Sequence, residues 1–161
     1  MKSEISLAFE KCKKENRPAL ITYTVAGDNT KRKSLEILKS ISKHADILEI
    51  GFPHNAPTAD GPQIQNSSYR ALKNGIKLKD VFQIVKSYKK SKKAKPCILM
   101  GYYQMIFNYG EIKFVYGDFG SEFQKLDSGS NTMIGISGDF SQDQYGFYNV
   151  RRYLRWNLYT N

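Results

Sequence analysis

The 161-residue sequence is poor in the residues from which metal sites and disulfide frameworks are built: it has two cysteines, two histidines and one tryptophan. Cys12 and Cys97 stand far apart, and His44 and His54 are too few to complete a ligand set, so no metal site is expected. Two lone cysteines fit a reducing compartment. No apolar run approaches the roughly eighteen residues of a membrane span. The opening "MKSEISLAFEKCKKENRP" has a charged helical pattern where a secretory signal needs an unbroken apolar stretch. These absences point to a soluble, cytoplasmic protein with no membrane partner. Also lacking is the glycine-rich fingerprint of dinucleotide binding, since "VAGDNTKRKS" holds a single glycine. No internal repeat is found.

The charge is plentiful but uneven. The formal net charge is +10, and residues 1–115 hold 21 Lys and Arg against 10 Asp and Glu, whereas the remainder hold 4 against 5. The densest run, "KSYKKSKKAK" from Lys86 to Lys95, ends a helical pattern just before Pro96. Lysines there complement the negative end of a helix dipole and solvate a loop. A phosphate-backbone surface would want arginines and aromatics interleaved, so no nucleic acid is expected as a partner.

Periodicity then gives the elements. In "EISLAFEKCKKE", Ile5, Ala8, Phe9 and Cys12 recur at helical spacing, and Asn16, Arg17 and Pro18 stop the helix. "ALITYTVAG", Ala19 to Gly27, reads as a buried strand ended by Gly27 and Asp28. A helix follows from an Asn29/Thr30 cap, with Leu35, Leu38, Ile41 and Ala45 on one face. "DILEIGFP" is the second strand. "SYRALKNG" is a short helix and "LKDVFQIVKSYKK" a longer one, with Leu78, Val81, Phe82 and Val85 on one face. "KPCILMGYY", Lys95 to Tyr103, is a third strand running into a loop.

Strands alternating with helices through short connections imply βαβ units, a parallel sheet and the α/β class. Continuous apolar strands, with an acid near the end of one, favour a partial (β/α)8 TIM barrel of three to four βα units over an open doubly wound sheet. After about Val115 the texture changes. Residues 116–161 hold ten aromatics among Gly, Ser and Asp, without clear βα alternation, and read as turns and short strands. "NVRRYLRWNLY" within them is a candidate strand or short helix. The expected division is therefore 1–115 as barrel and 116–161 as an unassigned aromatic-rich tail.

In "LEIGFPHNAPTADGPQIQ" an apolar run carries Glu49 at its centre, and Asp60 follows in a loop studded with Pro and Gly. A carboxylate in such a run costs on the order of several kcal/mol unless it is paired, protonated or used. Alternation turns Ile47, Glu49 and Gly51 to one face and Leu48, Ile50 and Phe52 to the other. Glu49 thus fits a proton-transfer group whose pKa is raised by low polarity, and it equally fits a strand-end acid paired to a lysine. Asp60 alone is a turn residue. Paired with Glu49 on one βα segment, it completes a set of two acids that a site can assign to different roles.

"ENRPALITYTVAGD", "SLEILKSISKHADILEIGFP", "ADGPQIQNSSYRALKNGIKLKDVFQIVK" and "ILMGYYQMIFNYG" occur in this order, and together they resemble the N-terminal part of the tryptophan synthase alpha subunits. The resemblance runs from near residue 5 to about residue 115. It implies a lyase of tryptophan biosynthesis that cleaves indole-3-glycerol phosphate to indole and glyceraldehyde 3-phosphate by a retro-aldol reaction, without a cofactor. The family's catalytic glutamate falls on Glu49 and its catalytic aspartate on Asp60. Tyr23, Met100 and Tyr102 fall on its substrate pocket, although for Met100 an ordinary core role serves equally well. The implied partners are the substrate and a beta subunit in an alpha2-beta2 complex.

Two segments depart from the family's pattern. "PHNAP" replaces the usual "PFSDP", so Ala56 stands where an acid is common, and Gln104-Met105 replaces the usual Asn-Pro after the Tyr pair. That segment contacts the beta subunit in the family. The family's glycine-rich phosphate loops have only a faint counterpart in "SGSNTMIG", and a whole barrel takes ~250 residues. The expectation is weak or no turnover for this chain alone. The alternative is a non-catalytic half-barrel acting as a scaffold or binding module.

Overall fold

Two residues of the first interelement turn show how sequence fixes the frame. In the computed structural model, which describes residues 4–57, 60–110 and 114 with the backbone of 133–137, α1 spans Glu4–Lys14. Asn16 then takes a left-handed conformation with φ 50°. The Asn16 N–H donates to the Lys13 carbonyl at 3.1 Å and the Arg17 N–H to the Cys12 carbonyl at 3.1 Å. This pair of bonds satisfies carbonyls that a helix end leaves free. Arg17, held at the turn, sends both terminal nitrogens to Asp46, at 2.7 and 2.8 Å, and the Leu20 N–H donates to the same carboxylate at 2.9 Å. The end of α1 is thereby tied to the start of two strands. Of the apolar stripe expected on α1, Ile5 and Cys12 are buried, while Phe9 is half exposed.

β1 (Ile21–Val25) leads through Asn29, also left-handed at φ 66°, into α2 (Lys31–Ile41). Thr30 is the cap: its hydroxyl accepts from the Lys33 N–H at 3.0 Å. β2 is Ile47–Gly51, α3 Pro62–Lys73, α4 Leu78–Lys89 and β3 Cys97–Tyr102, followed by α5 (Tyr103–Tyr109) and β4 (Met133–Ser137). The four strands form one parallel sheet in the order β1-β2-β3-β4.

Two elements differ from the sequence reading. α3 begins at Pro62, six residues before the short helix expected at Ser68, because proline at the first helical position needs no N–H partner and presets φ. The third strand runs into α5, not into a loop, since Gln104 to Tyr109 continue the helical backbone until Gly110 at φ 95°. In the 116–161 region β4 pairs with β3, and "NVRRYLRWNLY" lies outside the described residues.

One face of the sheet carries the main core. Leu48, Ile50, Phe52, Cys97 and Leu99 are buried there with Leu38 of α2 and Val81, Phe82 and Val85 of α4. Phe52 meets Phe82 and Phe114 edge to face, with ring centroids 6.3 Å apart in both pairs. Gly101 makes room for it, because a Cβ there would overlap the Phe52 ring. The lysine-rich segment is more anchored than a solvated helix end. Lys89 is half-buried and pairs with Glu4 at 2.8 Å, and the Lys95 N–H donates to the Tyr88 hydroxyl at 2.7 Å.

The Arg17 guanidinium and the Leu20 N–H hold the Asp46 carboxyl well below the usual carboxylate range. A depressed folded pKa contributes stability above the unfolded value near 3.9, and that stability is lost as pH falls toward the folded value. Asp46→Asn should therefore lower the urea midpoint at pH 7, with the gap to the parent chain closing as pH falls below about 3.9. A pH-independent gap, read by denaturant titration from pH 2.5 to 7, would count against this account.

Candidate active site

The opposite face of the sheet gathers the polar groups. Parallel register places Tyr23 beside Glu49 and Gly51 beside Met100, and the two-residue period puts Tyr102 on the same face as Met100. Tyr23, Glu49, Met100 and Tyr102 are all half-buried, between the tight helix-side core and solvent. Asp60 arrives from the β2–α3 loop, and the Tyr102 hydroxyl donates to its Oδ2 at 3.3 Å. The structure thus brings together all five residues singled out from the sequence, four by sheet register and the fifth by a hydrogen bond.

Gly51 sets the depth of the site. A Cβ at this position would overlap the Tyr23 hydroxyl and lie 2.6 Å from its Cζ. The absent side chain lets the Tyr23 phenol lie across β2 beside Glu49. Burial, followed by the negative charges of Asp60 and Glu49 and the nearby Tyr102, pushes the Tyr23 hydroxyl up to about 12. Tyr23 therefore stays a neutral donor across the ordinary pH range.

Burial alone raises the pKa of Glu49. Among the described residues no cation pairs with it, so the lysine-paired reading of this acid is not what the structure shows. A desolvated carboxyl without a counter-charge is suited to giving and taking a proton nearer neutrality than an exposed acid.

The loop carrying Asp60 is pinned at several points. The Asp60 N–H donates to the Pro57 carbonyl at 3.1 Å, and Gln65 Nε2 of α3 donates to the Asp60 carbonyl at 2.7 Å. Gly61 caps α3, so Asp60 stands at the positive end of that helix. Nearby, Arg70 of α3 grips Asp28 of the β1–α2 loop through two bonds of 2.8 Å. His54, too isolated in sequence to suggest a metal ligand, is buried in this loop and stacked on Tyr102, with ring centroids 4.6 Å apart and planes 21° apart. Its place between Pro53 and the Asp60 turn was the available signal. No group of three or more metal-ligating side chains occurs among the described residues. No helix among them is long and apolar enough to cross a membrane.

Two variants probe this geometry. Gly51→Ala should force Tyr23 from its seat and lower stability by about 1–3 kcal/mol, the range for overpacking a filled site, measured by urea unfolding. Glu49→Gln should act in the opposite direction at neutral pH. A raised folded pKa gives stability that is full below the unfolded value near 4.3 and falls as pH rises through the folded value. The Gln variant lacks this loss, so its thermal midpoint should exceed the parent's at pH 7 to 8 and converge with it near pH 4. A lower midpoint for Glu49→Gln throughout that range would contradict the desolvation argument.

The family model described as "Tryptophan synthase alpha chain" matches residues 9–119. The tryptophan synthase alpha chain of Pelagibacter ubique (strain HTCC1062) is 73% identical over 113 residues, which are 70% of this chain and 43% of that protein. The crystal structure of tryptophan synthase subunit alpha from Legionella pneumophila str. Paris superposes with a TM-score of 0.79 at 28% identity, covering 97% of this chain and 56% of the other. A mutant tryptophan synthase alpha subunit from Pyrococcus furiosus gives a TM-score of 0.70 at 32% identity, over 86% of this chain and 51% of the other. The chain spans less than half the length of the Pelagibacter relative. Its βα units are part of a TIM barrel, and the chain belongs to the tryptophan synthase alpha chain family.

Proposed function

We propose that this chain carries the proton-transfer part of a lyase site for indole-3-glycerol phosphate in tryptophan biosynthesis. The observation that carries the reading is the pair of carboxyl groups in contrasting surroundings, one desolvated on a strand and one hydrogen-bonded in a loop, both beside the Tyr23 phenol. In this reaction the C–C bond between indole C3 and the glycerol chain breaks. Glu49 takes the proton of the glycerol hydroxyl whose carbon becomes the aldehyde, and it serves proton delivery to indole C3. Asp60 accepts the indole N–H and stabilises the cationic indolenine formed when C3 is protonated. Tyr102 and Met100 line the pocket on the side of β3, and Tyr23 forms its wall over Gly51.

No cofactor is required by this chemistry, because the indole ring itself accepts the electron pair of the breaking bond once C3 is protonated. The physiological partner in this proposal is a tryptophan synthase beta subunit, and the compartment is the cytoplasm. Family membership supports both.

The test is indole release from indole-3-glycerol phosphate by the purified chain, with and without a beta subunit. Glu49→Gln should lower release by about 10²-fold or more, the usual scale for losing a general acid-base group. Asp60→Asn should lower it by about 10²-fold, as expected for removing charge stabilisation. The acidic limb of the pH profile should lie above the ordinary glutamate value near 4.3, as the burial of Glu49 requires. Release that is indifferent to Glu49→Gln would overturn the assignment, and absence of release in both states would favour a scaffold role.

A further inference from the structure

The β2–α3 loop holds an aromatic contact that the proposed chemistry does not use. His54 is buried, and its ring lies almost parallel to that of Tyr102, 4.6 Å away between centroids. Its Nδ1 accepts a hydrogen bond from the Ala56 N–H at 3.0 Å, which assigns the ring proton of the neutral imidazole to Nε2 and fixes the ring plane relative to its own loop. Tyr102, on the other side of the stack, donates to Asp60 Oδ2 at 3.3 Å. Residues 54, 102 and 60 therefore form a sequence of contacts that begins and ends in the same loop and passes through β3 between.

We propose that His54 is a positioning residue for Asp60, acting through Tyr102; its importance to turnover rests on the lyase reading, whereas its geometry does not. A phenol at the end of a strand has side-chain torsions to settle, and the 3.3 Å hydrogen bond to Asp60 acts at its tip. A ring stacked flat on its face removes the rotation that would swing the hydroxyl away. The aromatic face of His54 supplies that surface, and the Ala56 N–H bond orients it relative to its own loop. Pro53 before it restricts the loop backbone, and Gln65 of α3 holds the far end of the loop through the Asp60 carbonyl. The loop is thus braced on both sides of the carboxylate, by a side-chain amide on the backbone and by a stacked pair on the acid itself.

The experiment reads the Tyr102 hydroxyl directly in the full chain without substrate. Tyrosine labelled with ¹³C at Cζ gives a signal for each of the 11 tyrosines, and Tyr102 is assigned by its loss in Tyr102→Phe. Asp60→Asn marks the position of this signal once the carboxylate acceptor is gone. His54→Ala should move the signal to that position, whereas His54→Phe, which keeps a stacking ring, should stay nearer the parent. His54→Leu, similar in bulk but without an aromatic face, gives the same answer should the alanine variant fail to fold. A parent-like signal in folded His54→Ala or His54→Leu would overturn the proposal. So would a shift in His54→Phe as large as in His54→Leu. Since no turnover enters the readout, failure of the lyase reading and failure of this proposal are distinguishable.

Discussion

The two-residue period of β2 is the constraint from which the rest of the site follows. Leu48 and Ile50 are fully buried against the helices, and this locks the strand's register, since a slip of one residue would carry Glu49 into the helix-side core. With that face fixed, Glu49 and Gly51 have no choice of side. Parallel pairing then delivers Tyr23 from β1 next to Glu49 and Met100 from β3 next to Gly51. The hydrophobic effect on the helix side thereby sets the arrangement of polar groups on the other side.

The same core reaches into the site loop through Phe52. This residue is the first after β2, is nearly fully buried and packs edge to face against Phe82 and Phe114. Gly101 of β3 admits its ring, just as Gly51 of β2 admits the ring of Tyr23 on the opposite face. Two glycines on adjacent strands thus serve opposite sides of the sheet, one for packing and one for the site. In both, a missing Cβ is filled by an aromatic side chain from a neighbouring segment.

What could be read from the sequence follows the range of the physics. The strands β1 to β3 and the helices α2 and α4 were legible because apolar periodicity acts within a few residues, and Leu38, Val81, Phe82 and Val85 are buried as their spacing requires; β4 lies in the aromatic-rich stretch where that periodicity fails. The early start of α3 at Pro62 and the helix α5 were not, since turn-like composition masked the first and an aromatic stretch without aliphatic periodicity masked the second. Resemblance to a family pointed to Glu49 and Asp60, but spacing could not show that Tyr102 reaches Asp60 across 42 positions. The stacking of His54 on Tyr102 is likewise a product of the fold, because neither residue has a local pattern that announces the other.

The contrast between the two acids has its origin in the elements that carry them. A strand residue flanked by buried neighbours can be desolvated without losing backbone order, because its N–H and C=O remain paired in the sheet; the carboxyl alone bears the cost of burial. Glu49 is in that situation, and its raised pKa is the measure of the cost. A loop residue ahead of a helix is in the opposite one, with donors supplied by its surroundings: Asp60 has the Tyr102 hydroxyl and the N-terminus of α3. Moving the acids between these positions would exchange their environments, and Glu49 would lose the desolvation that its proposed role requires. The order of acids along the βα segment, strand first and loop second, is therefore tied to the proposed division of labour between proton transfer and charge stabilisation.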